Sequence, residues 1–187
     1  MRRTELPSDT VELARYLIGK VLVHGASPAF RRVGRIVETE AYPPGDAASH
    51  AFGGATQRNA AMFLRLGHAY VYFSYGMHWL FNVSSAGAGV GAAVLVRALE
   101  PLERLLGPSN GPAKLTRAMG FGSEVNGIDL CARAPLWLGE IDRPISGIAC
   151  SARTGISKAV ADPLRFYESC NVHVSRHLPG GRKALPR

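Results

Sequence analysis

Apolar and polar residues alternate with a period of two along His68-Ala69-Tyr70-Val71-Tyr72-Phe73-Ser74 and again along His78-Trp79-Leu80-Phe81-Asn82-Val83-Ser84. Two β-prone runs on either side of Tyr75-Gly76-Met77 predict a hairpin over roughly residues 68–84. A turn tip normally carries small polar residues, and this one carries a tyrosine and a methionine. Glycines 87, 89 and 91 then turn the chain into a third strand at 92–99, which makes an antiparallel meander. Upstream, 30–42 predicts a long strand and 20–24 a short one, with a turn at 25–28.

Helical spacing is confined to a few segments. Asp9 is placed to cap a first helix, with Glu12 as its capping-box partner. Leu13, Leu17 and Ile18 supply its apolar side, and Gly19 stops it. Pro101 predicts the start of a short helix, and Pro112 with Gly120 brackets another. Further strands are predicted near 136–138, 148–156 and 164–167, and a tail from about His177 reads as flexible. Residues 43–59 form a long loop, a length often associated with function. No repeat or linker divides residues 1–187. The expected fold is α+β, a single domain with a curved antiparallel β-sheet flanked by helices and a protruding β-hairpin.

Composition sharpens the picture where it departs from the ordinary. The chain is 47% hydrophobic and 19% charged, which argues against wholesale disorder. Its 22 Lys+Arg against 14 Asp+Glu give a net charge of +8, and the pI is near 9.9. Lys20, Lys114, Lys158 and Lys183 are the only lysines, so arginine carries the excess. Guanidinium groups suit phosphate forks and minor-groove insertion. Cys131, Cys150 and Cys170 show neither CxxC nor His/Cys spacing, so no disulfide framework or zinc site is supported. They read as buried apolar residues in a reducing compartment. No secretory signal follows Arg2 and Arg3, and the longest apolar run, 89–96, is too short to span a bilayer. A cytoplasmic or nucleoid location is expected, without membrane association.

Two segments carry candidate chemistry. In Val37-Glu38-Thr39-Glu40-Ala41-Tyr42, strand alternation puts Glu38, Glu40 and Tyr42 on one face. An exposed edge strand with solvated glutamates explains this pattern, and so does a general base for hydrolysis of a glycosidic bond. On the hairpin, Tyr70 and Tyr72 share a face, as do His78, Leu80 and Asn82 on the return strand. Such a wall of aromatic planes with one amide suits a base extruded from DNA, although Tyr70 fits a core position equally well. Arg97, within an apolar strand, needs an acidic partner, structural or catalytic.

Together these residues resemble the alkyladenine (3-methyladenine, N-methylpurine) DNA glycosylase family. The matching stretches are Arg35-Ile36-Val37-Glu38-Thr39-Glu40-Ala41-Tyr42, residues 46–50, Arg58-Asn59, Met62-Phe63, Tyr70-Val71-Tyr72 through Tyr75-Gly76-Met77, and Asn82-Val83-Ser84-Ser85. They continue with residues 95–101, Gly111-Pro112-Ala113-Lys114-Leu115 and Pro163-Leu164-Arg165-Phe166-Tyr167. So many matches in order are specific in a way that a lone motif is not.

The resemblance implies roles position by position. Glu40 is the general base, holding a water with help from Arg97. Tyr42, His50 and Tyr72 stack around the flipped base, with Leu80 and Leu95 on the pocket wall. Tyr75 is the wedge that enters the minor groove, flanked by Met77. Asn82 crowds the 2-amino group of guanine. Thr154 and Gly155 match a backbone contact near the water, and Arg58 and Asn59 a contact to the DNA backbone. The implied activity is removal of alkylated or deaminated purines (3-methyladenine, 7-methylguanine, hypoxanthine, ethenoadenine) from double-stranded DNA. It implies a monofunctional enzyme and a monomer, with no metal, no cofactor and no Schiff-base lysine.

This chain departs from the family at Ala55-Thr56-Gln57, where members often carry an arginine and a proline, and at Leu80, where some carry a smaller residue. Two rivals stand beside this reading. One is a non-catalytic binder of bent or damaged nucleic acid, which would need neither Glu40 nor Arg97. The other is a sugar hydrolase using Glu38 and Glu40 as a pair.

Overall fold

The computed structural model describes residues 1–25, 27–133 and 135–175. The tail expected to be flexible from about residue 177 lies outside the described residues. The first helix, α1 (Thr10–Leu17), begins where Asp9 accepts hydrogen bonds from the Val11 and Glu12 amides, both at 2.9 Å. Those bonds satisfy two of the donors that a helix start leaves open. Its Leu13, Ala14 and Leu17 are buried against the sheet. The second helix, α2 (Pro112–Met119), has proline in its first turn and ends at Gly120, whose left-handed φ of +68° suits a helix terminus. Thr116 Oγ1 donates to the Trp79 carbonyl at 2.9 Å and ties α2 to the hairpin.

The sheet contains β1 (Val21–His24), β2 (Arg32–Tyr42), β3 (Ala69–Ser74), β4 (His78–Ser84), β5 (Ala93–Glu103), β6 (Leu136–Gly139), β7 (Ile148–Ser151) and β8 (Arg165–Glu168). Its main path runs β3-β4-β5-β2-β1-β6, all antiparallel, with the predicted meander β3-β4-β5 at one side. Strand β2 is central. One edge pairs with β5, while the other is covered by β1 at Arg32–Arg35 and by β8 at Glu38–Glu40. The exposed edge strand weighed for Glu38 and Glu40 is therefore ruled out, because both edges of β2 are hydrogen-bonded and nearly all its residues are buried.

Register shifts around Glu38 change the phase of β2. Ile36 and Ala41 lie in the main core, and Thr39 reaches α1 by donating to the Ala14 carbonyl at 2.9 Å. Arg35, Glu38 and Glu40 consequently face the other way, away from the helix. Fully buried Leu13, Leu17, Leu99, Leu115 and Met119 each contribute roughly 1.5–3 kcal/mol by leaving water.

Three local expectations are corrected. Pro101 does not start a helix; β5 runs through it to Glu103. Pro101 faces Gly34 where the β2–β5 register already shifts, so its missing N–H breaks no regular ladder. The strand expected over 148–156 stops at Ser151, because Arg153 turns inward and Gly155 takes a φ of +77°. Cys150 and Cys170 are exposed rather than buried, and Cys131 is half-buried. Cys150 lies on the short outer strand β7, and Cys170 follows β8 at a positive φ of +61°.

Among the described residues, no helix is long and apolar enough to cross a membrane, and no group of three His, Cys, Asp or Glu is placed to hold a metal ion.

Candidate active site

The carboxylates of Glu38 and Glu40 look alike in sequence and are separated by their partners. Both are wholly buried. Arg97 of β5 lies between them, with Nε 2.8 Å from Glu38 Oε1 and Nη1 3.1 Å from Glu40 Oε1. Glu38 also accepts Arg165 Nε at 2.7 Å, the Ser175 amide at 2.6 Å and Ser175 Oγ at 2.7 Å. Three of these donors crowd Oε1 and the Ser175 amide takes Oε2, and neither Arg165 nor Ser175 lines the cleft described below. Glu40 Oε1 accepts the Thr154 amide at 2.8 Å and Thr154 Oγ1 at 3.3 Å, while among the described residues Oε2 accepts only the Tyr42 hydroxyl at 2.9 Å. A carboxylate oxygen has two lone pairs, so Glu40 Oε2 keeps one for a further donor. Burial works against the Arg97 charge, but Glu40 and then Glu38 outweigh it and hold the guanidinium protonated beyond its ordinary range.

Beside this pair opens a cleft of about 640 Å³. The six residues expected as its base pocket, Tyr42, His50, Tyr72, Leu80, Asn82 and Leu95, all line it. Arg97, Thr154 and Gly155 line it too, whereas Glu40 lies beneath its surface. Strand pairing explains the convergence: Tyr70 faces Asn82, Tyr72 faces Leu80, Asn82 faces Leu95, and Leu95 faces Glu40.

The aromatic wall is braced from behind. Tyr70 is 1% exposed, so the core reading holds for its ring. Its hydroxyl lies 2.9 Å from His50 Nδ1, and its ring stacks on Tyr72 with centroids 5.4 Å apart. The His50 ring meets Tyr72 edge-on at 4.3 Å. Burial, aided by the Glu40 charge, pushes the Tyr72 phenol up to about 12, and burial raises Tyr42 and Tyr70 further. Burial and then the Arg58 charge hold His50 below its ordinary value. Near neutral pH these rings therefore form an uncharged wall.

The hairpin tip combines exposure with backbone strain. Tyr75 and Gly76 have φ of +50° and +64°, the mirror-image turn that matches strand twist, and the Met77 amide closes it on the Ser74 carbonyl at 3.1 Å. Glycine adopts this conformation freely, while a side chain as large as tyrosine is an outlier there. Tyr75 is 87% exposed and Met77 67%, so the chain keeps a strained, bulky apolar residue in water. Arg58 props the strand behind the tip, donating to the Phe73 carbonyl at 2.9 Å.

Asn59 had been expected against DNA. It is instead buried, its amide donating to the His50 and Gly54 carbonyls and its oxygen accepting from Thr56. It shapes the loop that carries His50 and leaves no free group for a phosphate.

The sequence reading missed Arg153, Arg165 and Ser175 as parts of the site. Buried Arg153 pairs with Asp46, donates to the Ala41 carbonyl at 3.0 Å and packs 4.7 Å from the Tyr42 ring. It thus seats Thr154 against Glu40. The available signals were arginines inside otherwise apolar or loop segments, each needing a buried acid.

Residues 4–172 match the family described as methylpurine-DNA glycosylase (MPG). The chain is 46% identical to a Paraburkholderia phytofirmans protein over 98% of this chain and 89% of that one. It is 47% identical to one from Mesorhizobium japonicum, over 92% and 88% of the two chains. A third relative, from Methanoculleus marisnigri, is 42% identical over 90% and 94%. All three carry the name "Putative 3-methyladenine DNA glycosylase". The chain belongs to the methylpurine-DNA glycosylase family. It is a DNA glycosylase, a hydrolase whose partner is DNA.

Proposed function

We propose that this enzyme removes alkylated and deaminated purines that have swung out of duplex DNA, and that it hydrolyses the N-glycosidic bond without cutting the strand. The observation that carries the reading is Glu40: a buried carboxylate with one open lone pair, set under an uncharged aromatic cleft. In the proposed reaction Glu40 takes a proton from water as the water oxygen bonds to C1′. The C1′–N bond breaks, and its electron pair leaves with the purine. Arg97 holds Glu40 in place through its ion pair. Tyr42, His50 and Tyr72 sandwich the base, while Tyr75 fills the gap it leaves from the minor-groove side and Met77 flanks it. Arg58, exposed beside the hairpin, contacts a backbone phosphate in this reading.

The sugar-hydrolase rival needs two working carboxylates, and Glu38 is tied up by four hydrogen bonds from Arg97, Arg165 and Ser175, three of them from residues outside the cleft lining. A non-catalytic binder has no use for the Glu40–Arg97 pair.

The test is single-turnover excision on duplexes carrying one 3-methyladenine, 7-methylguanine, hypoxanthine or ethenoadenine, with strand scission scored before and after alkali. Base release with scission only after alkali is expected. Scission without alkali, or a borohydride-trapped adduct on Lys158 at the cleft edge, would overturn the monofunctional reading.

A further inference from the structure

Glu38, which the proposed reaction does not use, is the most heavily bonded carboxylate near the site. Its donors come from three places: Arg97 on β5, Arg165 on β8 and Ser175 in the segment after β8. Arg165 is buried, and each of its three guanidinium nitrogens donates a hydrogen bond. Besides Glu38, it donates to Ser151 Oγ at 3.1 Å and to the Ser175 carbonyl at 3.1 Å. Segment 171–175 is thus latched onto the back of the catalytic pair, on the side away from the cleft. Ser175 lies beyond the last residue of the family match, 172.

The charges explain what the latch does. Glu38, Glu40, Arg97 and Arg165 form a buried group of two anions and two cations. Arg97 is shared, so what Glu38 takes from it sets what remains for Glu40. We propose that Glu38, held by Arg165 and Ser175, is a positioning residue that fixes how Arg97 is divided and so tunes the basicity of Glu40 from outside the cleft. The inference rests on Glu40 being the general base. Other groups facing Glu40 are the Tyr42 hydroxyl on its own strand, Thr154 with the Arg153–Asp46 pair behind it, and Tyr72 of β3. None of these is altered by the variants below.

The mechanism predicts shifts of opposite sign. The rate rises with pH as the base ionises. Glu38→Gln removes an anion beside Glu40, so ionisation becomes easier and the acidic limb moves to lower pH. Arg165→Gln removes a cation, so ionisation becomes harder and the limb moves to higher pH. Each shift is expected to be about one pH unit. Ser175→Ala removes one donor and no charge. It is expected to lower the single-turnover rate about threefold to tenfold with lesion-duplex affinity unchanged, and Ser175→Thr to restore it.

Excision of hypoxanthine across pH 4–9 by these variants is the experiment, with duplex affinity and melting temperature measured on the same samples. Opposite displacements of the limb support the proposal. Displacements in one direction, or none while the variants remain folded, overturn it, and so does a Ser175→Ala rate equal to wild type. A Glu40→Gln control keeps the two readings apart: if that variant retains full activity, Glu40 is not the base and the proposed function itself fails.

Discussion

Asn82 donates its side-chain amide to the carbonyl of Tyr70, its partner across the hairpin, at 3.1 Å. The side chain is 4% exposed and held by that bond, so it cannot swing away from whatever enters the cleft. Guanine differs from hypoxanthine by one 2-amino group, and under the proposed function the pinned side chain sits at that edge and refuses it by bulk. Asn82→Ser is shorter and is expected to release undamaged guanine measurably, most readily from a G·T mispair. A folded variant that excises hypoxanthine but never guanine would place the filter elsewhere.

Glu40→Gln keeps shape and removes the proposed base, so excision is expected to fall at least a thousandfold while lesion-duplex affinity stays within about threefold. Glu38→Gln is expected to cost about tenfold or less at its pH optimum, since Glu38 works only through Arg97. Equal losses in single-turnover assays would contradict the division of roles between the carboxylates.

Tyr75→Ala removes a side chain that touches little of its own protein. Affinity for a lesion duplex is expected to drop about tenfold or more, because under the proposed function this side chain offsets an unstacking cost of a few kcal/mol. The loss shrinks opposite a mismatch, where the base is already loosened. Fluorescence titrations on matched and mismatched duplexes distinguish this from a general loss of DNA binding.

Acid sensitivity is expected to centre on Glu168. Burial opposes its charge, but Arg35 at 2.5 Å, Asn171 and the Ser146 amide outweigh burial and hold the carboxyl down at about 2, from an ordinary 4.5. A carboxylate with a lowered folded pKa stabilises the fold above its unfolded value. That stability, about 3 kcal/mol here, is lost as pH falls from 4.5 toward 2. Urea denaturation at pH 7, 4 and 3 measures it, and Glu168→Gln should flatten the slope.

The sequence made much of this legible for physical reasons. Alternation along 68–84 marks the hairpin because the pocket face and the opposite face differ in chemistry at every second residue. Asp9, Pro112 and Gly120 mark helix ends because each answers a local backbone need. Alternation could not show that β2 is central, since that depends on β8 arriving from more than a hundred residues away. Nor could it show the phase change at Glu38. The same distance hid Arg165 and Ser175, whose partner lies 127 and 137 residues earlier. Pro101 misled because a proline's effect depends on whether its neighbouring strand needs the missing donor.

The pairing of β2 along both edges also sets the order in which the molecule can open. Each backbone amide of the Glu38–Glu40 segment faces β5 or β8, so its exchange requires one of those strands to leave the centre of the sheet. The tip at 75–77 and the open glycines 53 and 54 have no such restraint. Slowly exchanging backbone should therefore carry the proposed general base, and fast-exchanging backbone the tip proposed to enter DNA. In the proposed reading, the part of the enzyme that meets DNA can therefore flex without disturbing the atoms that act on the sugar.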